Sequence, residues 1–528
     1  MRCLYLTLAL LSAGTSPLFA QVPEPDQQNL IKISKATTHI TKPLDKQGFA
    51  DYTAYLNQTN SEGVTAENNS VILYWKAIGP HSEETSPEFR ARLVEILGVD
   101  VFAEPGPHLV NIGQFAQLKI DLGVVPNNQV IFDQQGKSSE GPWTADKYPM
   151  MAEWVEMNEK PLQLVTEGSR REKYYSPVVT INEGDPLIAT LLPNVQLYRS
   201  FSRLLQARAM LALGEGRAED ARQDLLTMHR LARHTAQGAT LIEMLVGIAI
   251  DAIAYAGDRQ VALHGNMTSK ELIAWRKELA KLGPVSSFRD AIDTGERFFG
   301  LDSVQNFAKA ALSNDEEMIQ FISALGFDGN GSFLTSLILK FSIDWNVVMT
   351  QMNEYYDAMV AAASLPTHSQ RIAAFEKLEQ NLKERTKDMT SGGNIAKFVF
   401  LGAETRGQQM GNILLALLTP AVRQAQEAEN RNNAKLAAQQ AGLAILTFRA
   451  DTGELPGQLS DLVPKYLDAV PADLYTEQPL TYRTQGAEFA VYSLGQNLAD
   501  DHGKTWGDEG VNNDNHDHVF RSEGWVVK

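Results

Sequence analysis

Apolar positions recur at steps of three and four along most of this chain, the spacing of one face of an α-helix. Leu197, Phe201, Leu204, Ala207 and Leu211 mark one such face. Gly214-Glu215-Gly216 then makes a tight turn, and Ala218, Ala221, Leu225, Met228 and Leu231 mark the next face. The pair predicts a helical hairpin. Residues 241–256 are apolar nearly all round and predict a central core helix, with Asp251 the charged exception in its middle. Further helices are expected over 45–56, 70–78, 87–97 behind an N-capping Ser86, 149–159, 333–363 and 368–387. Thr268 with Glu271 reads as a capping box before 272–282, and Ser286 or Ser287 caps a helix through Phe299. Between 102 and 144, prolines and glycines interrupt short apolar runs, which predicts loops with a few short strands. Residues 174–181 have strand composition, and Pro177 restricts them to an edge or an extended segment.

From Met410 the pattern changes. A long helix through Phe448 is expected, mixed in charge early and apolar later at Leu436, Leu443, Ile445 and Leu446. A short helical segment at 459–467 follows, then two strands, 480–483 and 489–494, around a Gln485-Gly486 turn. The expected fold is mainly α: an irregular helical bundle or solenoid-like body, then a small α+β unit at the C-terminus. Leu211-Ala212-Leu213-Gly214 with Ala218-Glu219-Asp220-Ala221 resembles one tetratricopeptide repeat unit, but one unit does not make an array. The expected division is a signal peptide at 1–20, an arm at 21–44, a mixed, mostly helical region at 45–185, a helical body at 186–405 and the α+β domain at 406–528.

The first twenty residues change the picture of location. One Arg, a short apolar run from Leu4 to Leu11, and Leu18-Phe19-Ala20 have the layout of a secretory signal. The protein is therefore expected to be exported, to the periplasm or beyond, without a membrane span once the signal is cut. Cys3, the single Cys, would leave with the signal, so no disulfide is expected. With Lys plus Arg at 47 against Asp plus Glu at 64, the net charge of −17 disfavours nucleic acid as a partner. Protein partners and oligomeric state are not legible.

Catalytic motifs are missing from the text. It contains no Gly-x-Ser-x-Gly, no His-Glu-x-x-His and no Gly-x-Gly-x-x-Gly after a strand. His229 and His234, five residues apart on one helix, lie roughly 140° apart around its axis, which suits packing or capping better than a shared metal. One segment does stand out. Asp500, Asp501, Asp508, Glu509, Asp514 and Asp517 crowd one loop against a single Lys504, with Gly503, Gly507 and Gly510 to let it wrap. Such carboxylates repel one another unless solvated or neutralised by a cation. Calcium accepts irregular oxygen ligands of this kind, and the Asp-x-Asp-x-Asp-Gly run of an EF-hand is not present. His502, His516 and His518 offer a second chemistry, zinc or another transition metal.

The order of phrases in the tail resembles the globular domain of the type II secretion major pseudopilin. The phrases are Phe448-Arg449-Ala450-Asp451-Thr452-Gly453-Glu454-Leu455-Pro456, Leu459-Ser460-Asp461-Leu462-Val463-Pro464-Lys465-Tyr466, Val470-Pro471-Ala472-Asp473 and Tyr492-Ser493-Leu494-Gly495. The resemblance implies calcium in the loop after the Tyr-Ser-Leu-Gly strand, held by carbonyls near that strand and by two aspartates further on. The candidate ligands are Leu494, Asp500, Asp501, Asp508, Asp514 and Asp517. The loop is longer than the family's, and no pilin leader precedes the domain; Thr240-Leu241-Ile242-Glu243-Met244-Leu245-Val246 is similar to one but sits far upstream. The phrases Ile40-Thr41-Lys42-Pro43-Leu44-Asp45, Asp51-Tyr52, Glu67-Asn68-Asn69-Ser70 and Tyr74-Trp75-Lys76-Ala77-Ile78-Gly79-Pro80 resemble large uncharacterised secreted bacterial proteins carrying this tail.

Two functions follow as expectations, beside that of a transition-metal-binding protein acting through the C-terminal histidines. The first is a secreted interaction or scaffold protein with a calcium-stabilised tail. The second is an exported hydrolase whose site is put together in the helical body, which would require a deep pocket with converging carboxylates or histidines.

Overall fold

A computed structural model describes residues 30–80, 82, 85–103, 105–181, 185–187, 190, 192–285, 287–313, 342–387, 401–505, 508 and 516–526. The signal-like segment, Glu509, Asp514 and the first residues of the helix expected from 333 lie outside the described residues. The helices are α1 Tyr52–Asn60, α2 Ser70–Ile78, α3 Pro87–Leu97, α4 Ile112–Asp121, α5 Gln129–Ser139, α6 Pro149–Met157, α7 Glu159–Ser169, α8 Pro193–Gly214, α9 Ala218–Ala236, α10 Leu241–His264 and α11 Ser269–Lys281. Next, α12 runs as Phe288–Asp290, a π-helical stretch Ala291–Glu296, and Arg297–Ser313. α13 Trp345–Ala363, α14 His368–Thr386 and α15 Ala403–Thr452 complete the helices among the described residues. The strands β1 Thr481–Gln485, β2 Glu488–Ser493 and β3 His518–Arg521 form an antiparallel sheet in the order β1-β2-β3. The protein is thus mainly helical, with a small antiparallel sheet at its C-terminal end.

Several local expectations need correction. The region expected to be loops and short strands holds two helices, α4 and α5. A reciprocal Asn111–Gln114 capping box starts α4, and Phe115 and Ala116 bury its inner face, which outweighs the flanking breakers. The first helix begins at Tyr52 rather than 45, because Asp51 caps it at Ala54 N while 45–49 form a turn. Residues 174–181 are extended but unpaired as a strand. Asn57 holds Val178 by both its N–H (2.8 Å) and its carbonyl (2.9 Å), in place of a ladder. The third strand, β3, has no counterpart in the expected hairpin.

The hairpin α8–α9 is present and packs against α10. Thr240 and Glu243 form a capping box at the start of α10, so the leader-like phrase reads locally as a helix start. One contiguous cluster of buried side chains runs from Ile31 through the helices to Phe520. α15 joins its parts: it packs on α10, α11 and α13 and also backs β2 and β3. Gly442 on α15 leaves the space that the Phe520 ring fills.

The centre of this packing is polar. His229 of α9 donates from Nδ1 to Asp251 (2.6 Å) and from Nε2 to Asp258 (2.8 Å), both on α10. Asp251 and Asp258 are seven residues apart, two helical turns, so they share a face. Asn432 of α15 donates to Asp251, and Gln439, seven residues on, donates to Asp258. Arg233, one turn after His229, donates to Asp251 at 2.9 Å. His229 is 1% exposed and both carboxylates 0%. Burial alone would lower the imidazole's pKa, but Asp258 and Asp251 overcome it and raise it to about 9. The burial of Asp251 is likewise overcome, by the charges of His229 and Arg233, and its pKa falls to about 2. His229 is therefore an imidazolium between two carboxylates. His234 faces away from it, bonded at Nδ1 to the Tyr74 hydroxyl (2.8 Å) and stacked on Tyr174. Burial, with Arg230 nearby, drops its pKa to about 4 and keeps it neutral.

Candidate functional site

Two places bear on function: the acidic loop of the tail and a cleft in the helical body. In the tail, Asp473 accepts from Ser493 Oγ (2.6 Å), Leu494 N (3.0 Å) and Tyr475 N (3.0 Å). That carboxylate fastens the Pro-Ala-Asp phrase to the Tyr-Ser-Leu-Gly strand. Gly495 has φ +70°, and a Cβ there would lie 2.7 Å from the His516 carbonyl, so the turn after β2 presses on the segment before β3. Gly503 N donates to Asp517 Oδ2 at 2.7 Å. These contacts bring the neighbourhoods of Leu494, Asp500–Asp501 and Asp517 together.

The carboxylates there differ in state. Asp500 is paired with Arg483 and accepts from the Tyr492 hydroxyl at 2.9 Å. Asp508 is held by both terminal nitrogens of Arg521, at 2.9 and 3.0 Å, and is thereby spent. Asp501 accepts from Asn497 at 3.0 Å. Asp517 is 0% exposed, and its Oδ1 has no hydrogen-bond partner. Burial, with Asp501 and Asp500 nearby, raises its pKa to about 7 despite the Gly503 N–H. The Nδ1 of His518 is also buried without a partner. Among the described residues no three His, Cys, Asp or Glu side chains are grouped as a metal would need. A site made of two aspartates and backbone carbonyls, as the resemblance implies, would not form such a group.

The cleft has a volume of about 1260 Å³ and lies between residues 44–58, residues 178–181 with Asp185, the end of α3 and the second half of α12. Its walls are tied together. Gln305 of α12 accepts from Ala50 N (3.1 Å) and donates to Ala50 O (3.0 Å). Lys309, one turn further, reaches Asp45 at 2.9 Å and lies 4.4 Å from the centre of the Phe49 ring. Asp302, one turn earlier, is 8% exposed and lines the cleft. Its Oδ2 receives Leu187 N (2.8 Å) and Asn306 Nδ2 (2.9 Å), which leaves Oδ1 to the cleft. Burial, helped by the neighbouring Asp51, raises the Asp302 pKa to about 7.

No protein-family model, curated protein or solved structure matches this chain.

The six residues singled out in the tail fare differently. Leu494, Asp500, Asp501 and Asp517 come together, Asp508 is committed to an arginine, and Asp514 lies outside the described residues. Sequence reasoning did not find Asp302 or Asp51. The only signal was an aspartate, Asp302, among the apolar positions of a helix, and a sequence does not show which strand of chain will cover it. Among the described residues no helix is long and apolar enough to cross a membrane.

Proposed function

We propose that this chain is an exported interaction or scaffold protein whose pseudopilin-like tail is stabilised by calcium. The observation that carries the reading is Asp517: a fully buried carboxylate with an unsatisfied oxygen, beside Asp501 and Asp500. A buried acceptor without a donor costs about 1–3 kcal/mol, more when charged. A divalent cation would supply the missing positive charge, with Asp517 and Asp501 as carboxylate ligands and the Leu494 carbonyl a further oxygen. Export is supported by the layout of residues 1–20. An interaction role is supported by the exposed apolar side chains Leu118, Leu122 and Val124, on the last turn of α4 and just after it, and Phe132 on α5.

The test is thermal unfolding of the full chain after chelation, with calcium, zinc or no metal. At a concentration about 100 times its dissociation constant, calcium is expected to add about 2.7 kcal/mol. Asp517→Asn should remove that gain without destabilising the metal-free protein, since it removes a carboxyl that burial disfavours. A gain with zinc alone would transfer the site to His516 and His518. No gain with either metal would sink the proposal.

A further inference from the structure

The cleft against α12 is independent of the tail. Five of its lining residues are acidic: Asp45, Asp51, Glu95, Asp185 and Asp302. Three of them are engaged within the protein: Asp45 with Lys309, Glu95 with Arg92, and Asp185 as well. Asp51 uses Oδ1 to cap α1 at Ala54 N (2.8 Å) and forms no ion pair among the described residues. Asp302 is more than nine-tenths buried and accepts only neutral donors, both on Oδ2. Lys309 is near enough to act on Asp302 electrostatically but makes its ion pair with Asp45. The cleft thus presents two carboxylates, Asp51 and Asp302, that form no ion pair among the described residues, although Lys46 and Lys309 also line it. A buried carboxylate is costly unless it is paired.

The volume exceeds the roughly 300–1,000 Å³ typical of small-molecule sites, so space does not exclude a ligand. An anion would be repelled by the two carboxylates. A neutral polyol could bond to the walls but would leave the charge problem as it stands. An ammonium group offers three donors and the missing positive charge together.

We infer that the cleft between α1 and α12 binds a small organic cation bearing a primary ammonium group, held by Asp302 Oδ1 and Asp51.

The test is calorimetric titration of the full chain with 1,5-diaminopentane, and with 1,5-pentanediol as the neutral probe of the same length. The expected result is saturable one-to-one binding of the diamine, none of the diol, and at least about tenfold weaker binding in Asp302→Asn, equivalent to about 1.4 kcal/mol. Asn preserves the shape and one acceptor for Leu187 N, and circular dichroism checks that the variant folds. Asp51→Asn is the second variant, expected to weaken the diamine with Asp302 intact. Equal binding of diol and diamine, equal binding in both variants and the parent, or no saturable binding of the diamine would each overturn the inference. Asp517→Asn should leave the diamine affinity unchanged, which separates this outcome from that of the calcium experiment.

Discussion

Replacing His229 by Ala is expected to cost about 3–5 kcal/mol of folding stability, the cost of removing one partner from a buried ion pair. That is a large share of the roughly 5–15 kcal/mol that holds a typical domain folded. The reason is that His229 bridges Asp251 and Asp258, both sealed from water. Without the imidazolium, Asp258 keeps, among the described residues, the amide of Gln439 alone, while Asp251 still has Arg233 and Asn432. Adding Asp258→Asn to His229→Ala should therefore recover part of the loss, because it removes the stranded charge. Urea unfolding of the two variants checks this. A double variant less stable than the single one would show that the charge is not the source of the cost.

The same network sets an alkaline limit. The folded-state pKa of His229, about 9, is above the ordinary 6.5, so the folded protein holds this proton more tightly than the unfolded chain. Its contribution is fully present below about pH 6.5 and is lost as pH rises through 9. At about 1.36 kcal/mol per pKa unit, the loss is about 3 kcal/mol. On the acid side Asp251, lowered to about 2, contributes above its ordinary 3.8 and loses that contribution as pH falls below it. Unfolding free energy measured between pH 6 and 9.5 should fall in the parent, and the fall should flatten in His229→Ala. An equally steep fall in both would place its origin elsewhere.

The second large effect is expected at Gly214, the last residue of α8. A Cβ there would collide with the backbone of Trp143, meeting its carbonyl carbon at 2.5 Å and its nitrogen at 2.6 Å. The contact is real packing: Trp143 N donates to Met210 O at 3.2 Å, and the indole is 2% exposed. Backbone cannot swing aside as a side chain can. Gly214→Ala should cost about 3 kcal/mol, the upper end for overpacking. Gly216, two residues on, has φ +78° and nothing near its Cβ position. Gly216→Ala should cost only the left-handed strain of about 1–2 kcal/mol. Chemical denaturation of the pair separates the two reasons for a glycine. If Gly216→Ala proves the more damaging, the close approach of Trp143 is not what holds Gly214 in place.

The sequence predicted a Gly-Glu-Gly turn between two helices, and it is there. Its two glycines looked alike in the text, because conformational freedom is a local property and the backbone of a residue 71 positions away is not. The same division holds for the histidines. Their angular separation on α9 already implied different partners, since helical geometry is periodic. The identity of those partners required α10 and α15 to be placed beside α9. Asp251 and Asp258 sit seven apart in one helix, matched by Asn432 and Asn-like Gln439 seven apart in another, yet the text does not pair the two helices.

Helix starts were legible at Ser86 and Thr268 and, to within one residue, at Ser287, where a cap precedes an apolar face. α4 and α5 were hidden by neighbouring prolines and glycines, because burial against the body outweighs weak local propensity. The hairpin β1–β2 followed from alternation and a turn, while β3 begins only at His518, far along the chain from β2, and pairs only in three dimensions. In the tail, the sequence determined that many carboxylates share one loop. Only the tertiary structure decided that Asp500 and Asp508 are neutralised by Arg483 and Arg521 and that Asp517 is not. Asp302 belongs to the same class: its residue type is local, but its burial and its free oxygen depend on segments far away in the chain. Local sequence determines conformational preference and charge; desolvation, which decides what a charged group will bind, is a property of whatever packs over it.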